Sequence, residues 1–336
     1  MMHTIFILIF CILIVKSDPP PLSKSFKGVN LSGAEFNSGP NRTFGINYIY
    51  PNNDEIDYYF DQGFGIIRLP FDIARAYDHA YSPLNTTQIG YITAIVDYCL
   101  SKGMRVLLDP HNYGTIYDSR TGDRLYIGID PEGTNLFADF WGRMGTTFKS
   151  YSNVVYGLMN EPHKQNASQW YSGAVPAIKA IRAAGAKQLI LIPGTSYTGA
   201  HSWNGSHNAA VWQGFNDDPE HNFAFEMHQY LDQDSSGTHK QCHVNASHSL
   251  LGATQWLLDN KFKGFLGEFA WSTDSSCDNE SVAFMDNLSN ADAWLGWTWW
   301  CGGPWYPWSY MFRLDPLDFI KPTIDKPQLA LLLKYL

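Results

Sequence analysis

Three features of the sequence predict a (β/α)8 barrel of the α/β class, the TIM barrel. Eight short apolar runs of strand length alternate with longer amphipathic stretches, which is the sequence form of repeated βα units. Polar and charged side chains collect at the C-terminal ends of those runs, the face on which such a barrel builds its site; a doubly wound sheet explains them less well. The chain has 336 residues, a length that suits one barrel, since the fold runs from about 200 to over 400 residues.

The chain opens on Met1, Met2 and His3, then an unbroken apolar run from Thr4 to Val15, then Lys16 and Ser17. A run of that length is the core of a secretory signal peptide, because a membrane span needs about 18 or more apolar residues. Cleavage after Ser17 is expected, leaving residues 18–336 as a single secreted barrel domain with a stiff lead-in at Pro19, Pro20 and Pro21. No Ser/Thr/Pro-rich linker, charge block or repeat marks off a second module.

The predicted strands are Gly28 to Leu31, Ile66 to Leu69, Arg105 to Asp109, Val154 to Met159, Gln188 to Ile192, Phe223 to His228, Gly264 to Glu268 and Leu295 to Trp300. Between them apolar residues recur at helical spacing, as in Ile89, Ile92, Ile95, Val96, Cys99 and Leu100, or Phe137, Phe140, Trp141, Met144 and Phe148. Leu329, Leu332, Leu333 and Leu336 predict a final helix. The polar residues at strand ends are Arg68, Asp109 with His111, Asn160 with Glu161, His228 with Tyr230, and Glu268.

A formal net charge of -9 and the lack of any Lys/Arg cluster argue against nucleic acid or an anionic membrane as partner and favour a neutral substrate. Eight Asn-x-Ser/Thr sequons, at Asn30, Asn41, Asn85, Asn166, Asn204, Asn245, Asn279 and Asn287, suit a secreted glycoprotein. Asn30 and Asn287 fall in segments that read as buried or helical and are discounted as glycan sites. Cys11 lies in the signal segment, and the other four cysteines do not have metal-ligand spacing. His239, Cys242, His243 and His248 share a Ser/Gly/Asn-rich loop without CxxC spacing, so neither a metal nor a cofactor is expected. In an oxidising compartment Cys242 pairs with another loop cysteine, and Cys277 follows the next predicted strand.

Glycoside cleavage needs one carboxylic acid to protonate the leaving oxygen and one carboxylate to attack or to activate water. Two strand-end glutamates meet that need: Glu161 closes the run from Val154, and Glu268 closes the run from Gly264. A solvated surface glutamate is the alternative for either alone, and explains two at the ends of apolar strands poorly. Asn160 can donate to a sugar hydroxyl, and Pro162 is expected to end its strand by removing an amide donor. Arg68 sets a permanent cation at a strand end, where it favours the ionised form of a nearby carboxylate or serves as a structural ion pair. His111, and His228 with Tyr230, add hydrogen-bonding groups, although taken singly either histidine also fits a core position. Six of the twelve tryptophans lie between Trp294 and Trp308. About half of these are expected to pack inward, and Trp300, at the strand end, is the candidate sugar platform.

From Gly28 nearly to Leu336 the chain resembles glycoside hydrolase family 5, in particular its fungal-type endo-β-1,4-glucanases. The resemblance rests on Gly-Val-Asn-Leu-Ser-Gly-Ala-Glu-Phe at 28–36, Ile-Arg-Leu-Pro-Phe at 67–71 and Asp-Pro-His-Asn-Tyr-Gly at 109–114. It continues through Asn-Glu-Pro at 160–162, Glu-Met-His-Gln-Tyr-Leu-Asp at 226–232, Gly-Glu-Phe-Ala at 267–270 and Trp-Trp-Cys-Gly-Gly-Pro-Trp at 299–305. It implies a retaining cellulase in which Glu161 is acid/base and Glu268 nucleophile. Arg68 and Tyr230 would hold Glu268, Asn160 would bind the 2-hydroxyl, and His111 and His228 would line the cleavage subsite under Trp300. It further implies a Cys242 to Cys277 disulfide, a cis peptide after Trp300, no cofactor, and a monomer acting on β-1,4-glucan outside the cell. Cys99 and Cys301 are left without the partners that some relatives supply. The alternatives are the same chemistry on mannan, xyloglucan or lichenan, and a non-catalytic carbohydrate-binding barrel, which loss of either glutamate or of Arg68 would have favoured; none is lost.

Overall fold

Eight parallel strands close on themselves in a computed structural model that describes residues 20–336 except Lys24, Pro40 and Asn41; the expected signal peptide lies outside the described residues. The barrel strands are β1 (Lys27–Leu31), β2 (Ile66–Phe71), β3 (Arg105–Pro110), β6 (Val154–Gly157), β7 (Ile190–Pro193), β8 (Phe223–Tyr230), β9 (Gly264–Ala270) and β10 (Trp294–Gly302). They follow one another round the barrel in chain order, and β1 closes it by pairing Val29 with both Ile67 of β2 and Trp299 of β10. Each coincides with one of the eight predicted runs. Two further strands, β4 (Thr115–Asp118) and β5 (Asp123–Tyr126), form an antiparallel hairpin in the segment after β3. That hairpin lies where no element is predicted: its strands are four residues each, too short to establish a period.

The helices on the outside are α1 (Asn53–Asp61), α2 (Ile73–Ala76), α3 (Thr86–Ser101), α4 (Pro131–Phe148), α5 (Ala167–Ala183), α6 (Asn208–Trp212), α7 (Leu251–Asn260), α8 (Asp278–Leu288) and α9 (Pro327–Leu332). Their starts are written in the sequence: Asn85 accepts from the amides of Thr87 and Gln88, Pro131 opens α4, and Asn166 with Gln169 forms a reciprocal cap on α5. The predicted final helix is present as α9, with a 3₁₀ turn over Leu333–Tyr335. Among the described residues no helix is long and apolar enough to cross a membrane.

Ile66, Leu107, Val155, Leu191, Ala224 and Phe265, one from each of six adjacent strands, form a separate apolar cluster. Strand alternation sends residues two positions further on to the same face. Above Ile66, Leu107, Ala224 and Phe265 stand Arg68, Asp109, Glu226 and Gly267, so an apolar plug carries a polar layer.

Candidate active site

Arg68 is the centre of that polar layer and has no solvent exposure. Its Nε donates to Glu226 Oε1 (3.0 Å), its Nη1 to Glu268 Oε1 (2.8 Å) and Asn30 Oδ1 (2.9 Å), and its Nη2 to Asn160 Oδ1 (3.0 Å). Asp109 Oδ2 lies 3.0 Å from Nη1. A buried cation is tolerated only when paired and hydrogen-bonded. Here burial opposes the charge, but Asp109, Glu226 and Glu268 outweigh it and push the guanidinium above its ordinary range. For Asp109 burial acts upward, and Arg68 with His111 overcomes it and holds the carboxyl below its usual range.

Asn30 shows why its sequon was discounted: its Nδ2 donates to the carbonyls of Gly267, Thr298 and Trp299 at 2.9, 3.2 and 3.1 Å from a fully buried position.

Glu161 stands beyond β6, whose ladder ends at Gly157 and not at Met159 as expected. Extended backbone continues past it, with Leu158 N on Leu191 O (3.1 Å) and Asn160 N on Pro110 O (2.9 Å). A left-handed turn at Glu161 itself (φ 43°) stops it. The expectation that Pro162 ends the strand is therefore corrected: the turn comes one residue earlier, and it aims the Glu161 side chain into the cleft. Asn160 Nδ2 is buried and has no partner among the described residues.

Glu268 on β9 is held at both oxygens, Oε1 by Arg68 and Oε2 by the Tyr230 hydroxyl at 2.7 Å. Burial, with Glu268 beside it, keeps the Tyr230 phenol well above its ordinary value. Glu161 has a different partner: its Oε1 lies 2.8 Å from His228 Nδ1. His228 is 3.7 Å from Glu268 Oε2 through Nδ1 and 3.5 Å from Glu226 Oε1 through Nε2. Burial lowers this imidazole, but Glu268, Glu161 and Glu226 outweigh it and bring it up to about 10. One oxygen of Glu161, one of Glu268 and a ring nitrogen of His228 all lie within 4.8 Å of one another.

His111 bonds Asp109 Oδ2 through Nδ1 (2.7 Å) and stacks on Trp300 at 5.5 Å and 21°. Burial lowers its imidazole, and Asp109 more than reverses this. Beyond the irregularity between Trp294 and Gly296, the tryptophans of β10 divide as alternation requires. Trp297 and Trp299 pack into the aromatic core around Phe269, while Trp300 shares the inner face with Thr298. The peptide between Trp300 and Cys301 is cis. A cleft of about 650 Å³ opens beside these groups, with Glu161, His228, Tyr230, Tyr113, Tyr197 and His201 in its walls.

All eight site residues expected from the sequence thus converge. Glu226 was not among them, although its signal was present: it precedes His228 and Tyr230 by two and four positions on one strand, in the same inward phase. Cys242, in the loop after β8, is bonded to Cys277, in the segment after β9, with Cα atoms 5.0 Å apart, while Cys99 of α3 and Cys301 of β10 are buried free thiols; the β8 loop also gathers a second group of charged side chains. His239 comes together there with Asp232 and Asp234. Asp232 is already occupied by the amides of Gly237, Thr238 and His239 (3.0 to 3.1 Å), so its carboxylate orders the loop.

Residues 24–303 match the family described as cellulase (glycosyl hydrolase family 5). Endoglucanase 3 of Humicola insolens is 34% identical over 307 residues, which cover 88% of this chain and 75% of that protein. Endo-beta-1,4-glucanase B of Aspergillus niger is 33% identical over 298 residues, 87% of this chain and 85% of that one. Among solved structures, an endo-beta-1,4-glucanase from Xanthomonas axonopodis pv. citri has a TM-score of 0.85 at 36% identity, covering 93% of this chain and 98% of its own. XacCel5A, solved in complex with cellopentaose, has a TM-score of 0.86 at 41% identity, covering 93% and 99%.

Proposed function

Because this chain belongs to the cellulases of glycosyl hydrolase family 5 and is an endo-β-1,4-glucanase by that kinship, we propose that it cuts internal β-1,4 bonds of cellulose by double displacement. Glu161 is the acid/base and Glu268 the nucleophile. The observation that carries this reading is the spacing and unlike surroundings of the two carboxylates. Oxygens within 4.8 Å fit the separation of about 5 to 5.5 Å between carboxyl groups in retaining enzymes, and leave no room for the water that inverting enzymes place between groups about 6.5 to 9.5 Å apart.

In the first step a Glu268 oxygen attacks the anomeric carbon while Glu161 gives its proton to the departing glycosidic oxygen, leaving a covalent glycosyl-enzyme and a free chain end. In the second, Glu161 as carboxylate takes a proton from water, the hydroxide attacks the same carbon, and the Glu268 carboxylate is released with the configuration retained. Arg68 and Tyr230 fix both oxygens of Glu268, which orients the attack and accepts the returning charge. Asn160 Nδ2, without a partner among the described residues, binds the 2-hydroxyl, and Trp300 stacked on His111 floors the subsite. The apolar run at residues 4–15 supports secretion, and we read the enzyme as an extracellular, glycosylated monomer whose partner is the neutral glucan.

Replacing either glutamate by alanine tests the roles. Glu161→Ala should be nearly inactive on cellulose yet should still glycosylate on an aryl glycoside whose leaving group needs no proton, and azide should then speed turnover and yield a β-glycosyl azide. Glu268→Ala should do neither. Recovery of the β-azide from Glu268→Ala would reverse the assignment, and an α-anomer as first product of the wild-type enzyme would exclude retention. Initial rates on carboxymethylcellulose, mannan and lichenan decide the sugar: the first should be fastest.

A further inference from the structure

Glu226 is a third carboxylate in the site and cannot touch substrate, being 1% exposed beneath Arg68 and His228. Space has been made for it. Its carboxyl group faces Gly267 on the adjoining β9 and Gly157 on β6, and a side chain on Gly267 would collide with it. Its Oε1 takes the Arg68 Nε–H at 3.0 Å and faces His228 Nε2 at 3.5 Å as a charge contact, and that nitrogen has no hydrogen-bond partner among the described residues. The opposite ends of those two cationic side chains reach Glu268 and Glu161 at 2.8 Å each.

We infer that Glu226 is a positioning residue for the cleavage step: one buried anion steadies Arg68 behind Glu268 and the second N–H of His228 behind Glu161. The inference rests on the roles given above to those two glutamates. Its chemical content is a division of charge. When Glu161 releases its proton to the leaving oxygen, a new carboxylate forms 2.8 Å from His228 Nδ1. A His228 that carries both ring protons meets it with a charge-assisted hydrogen bond, and Glu226 balances that cation without itself reacting. The charged groups around His228 are Glu226 on its own strand, Glu161 beyond β6 and Glu268 on β9, with Asp109 on β3 and Arg68 on β2 behind them. Of the carboxylates in direct reach, only Glu226 has no part in bond making.

Glu226→Gln isolates this role, because a glutamine oxygen still accepts from Arg68 Nε while the charge facing His228 is gone. The ring signals of His228, followed by ¹⁵N and ¹³C NMR, should show a cation persisting through pH 8 in the wild-type protein and a midpoint lower by about 1 to 2 pH units in Glu226→Gln, the scale expected for loss of one close charge. The variant-to-wild-type ratio of kcat on cellopentaose should stay near one at pH 5 and fall as His228 loses its proton, by about twofold at most at pH 8 and roughly two- to tenfold by pH 9, part of the 10² to 10⁴ that acid–base catalysis supplies. KM should be little changed. Glu226→Asp, which keeps the charge, should keep the midpoint and most of kcat, and it replaces Glu226→Gln should that variant fail to fold. The inference is overturned by an unchanged His228 midpoint in Glu226→Gln, by a wild-type His228 titrating near 6.5, or by a kcat loss uniform across pH. The midpoints are read without reference to which glutamate attacks, so a reversed azide result would refute the assignment and leave this comparison intact.

Discussion

Replacing Arg68 by methionine should cost stability in a way that depends on pH. The substitution keeps an apolar stem of similar reach and removes the cation, leaving Asp109, Glu226 and Glu268 buried together, each at most 5% exposed at the side chain. Breaking one buried ion pair typically costs about 3 to 5 kcal/mol. With three carboxylates deprived at once, the upper end, about 5 kcal/mol at pH 7, is expected. The protein limits the damage by protonating a carboxyl group. For a group of ordinary pKa near 4 that costs about 4 kcal/mol at pH 7 and under about 0.5 at pH 4. In the wild-type protein the sign is opposite: Asp109 is held below its ordinary value, so it contributes stability that is present above about pH 4 and lost as pH falls through the lowered value. The two curves should converge on acidification, with the deficit shrinking to about 2 kcal/mol at pH 4. Thermal unfolding followed by circular dichroism and tryptophan fluorescence at pH 7 and pH 4 measures this, and the melting point at pH 7 should fall by about 10 °C. A loss of equal size at both pH values, or of under about 1 kcal/mol at pH 7, would show that Arg68 does not compensate these carboxylates.

Two further expectations are simpler. Tyr230→Phe removes only the 2.7 Å bond to Glu268 Oε2, a hydrogen bond to a charged acceptor worth about 1.5 to 3 kcal/mol, so kcat/KM on cello-oligosaccharides should fall roughly 10- to 150-fold with circular dichroism unchanged; a twofold effect would mean that Arg68 alone positions the carboxylate. The Cys242 to Cys277 bond closes a loop with a sequence separation of 35, which in the chain-entropy model stabilises by about 3 to 4 kcal/mol, and Cys277→Ser should lower the urea midpoint accordingly while leaving activity below that midpoint intact.

The strands were legible because each is a short apolar run with a polar residue at its end, and alternation then fixes which side chains enter the barrel. That suffices to nominate Arg68, Asn160, His228, Tyr230 and Glu268. It does not say who meets whom across the barrel. Met227 pairs with Leu266, but a register shift after it makes His228 pair with Glu268, skipping Gly267. That irregularity brings His228 within reach of both glutamates, and one extra residue in a ladder leaves no mark on periodicity. In the chain Glu161 follows a neutral asparagine, whereas His228, its hydrogen-bonded neighbour in space, lies 67 residues away. The loops that wall the cleft were illegible for a related reason: Tyr197 and His201 follow no period, and the left-handed backbone from Ser196 to Thr198 is made by non-glycine residues that give no warning of it.

Arg68 also bears on how the chain reaches its final form. Its four hydrogen-bond partners lie 38, 92, 158 and 200 residues away along the chain, and they belong to β1, the segment just beyond β6, β8 and β9. Contacts so distant in sequence form only after most loop-closure entropy has been lost. A half-barrel ending before β8 would therefore carry Arg68 and Asp109 but only part of their compensation, and no arrangement that cleaves a glycosidic bond. During refolding, recovered hydrolysis should lag behind recovered helical signal, and would serve as a clock for the moment at which the ring of strands becomes complete.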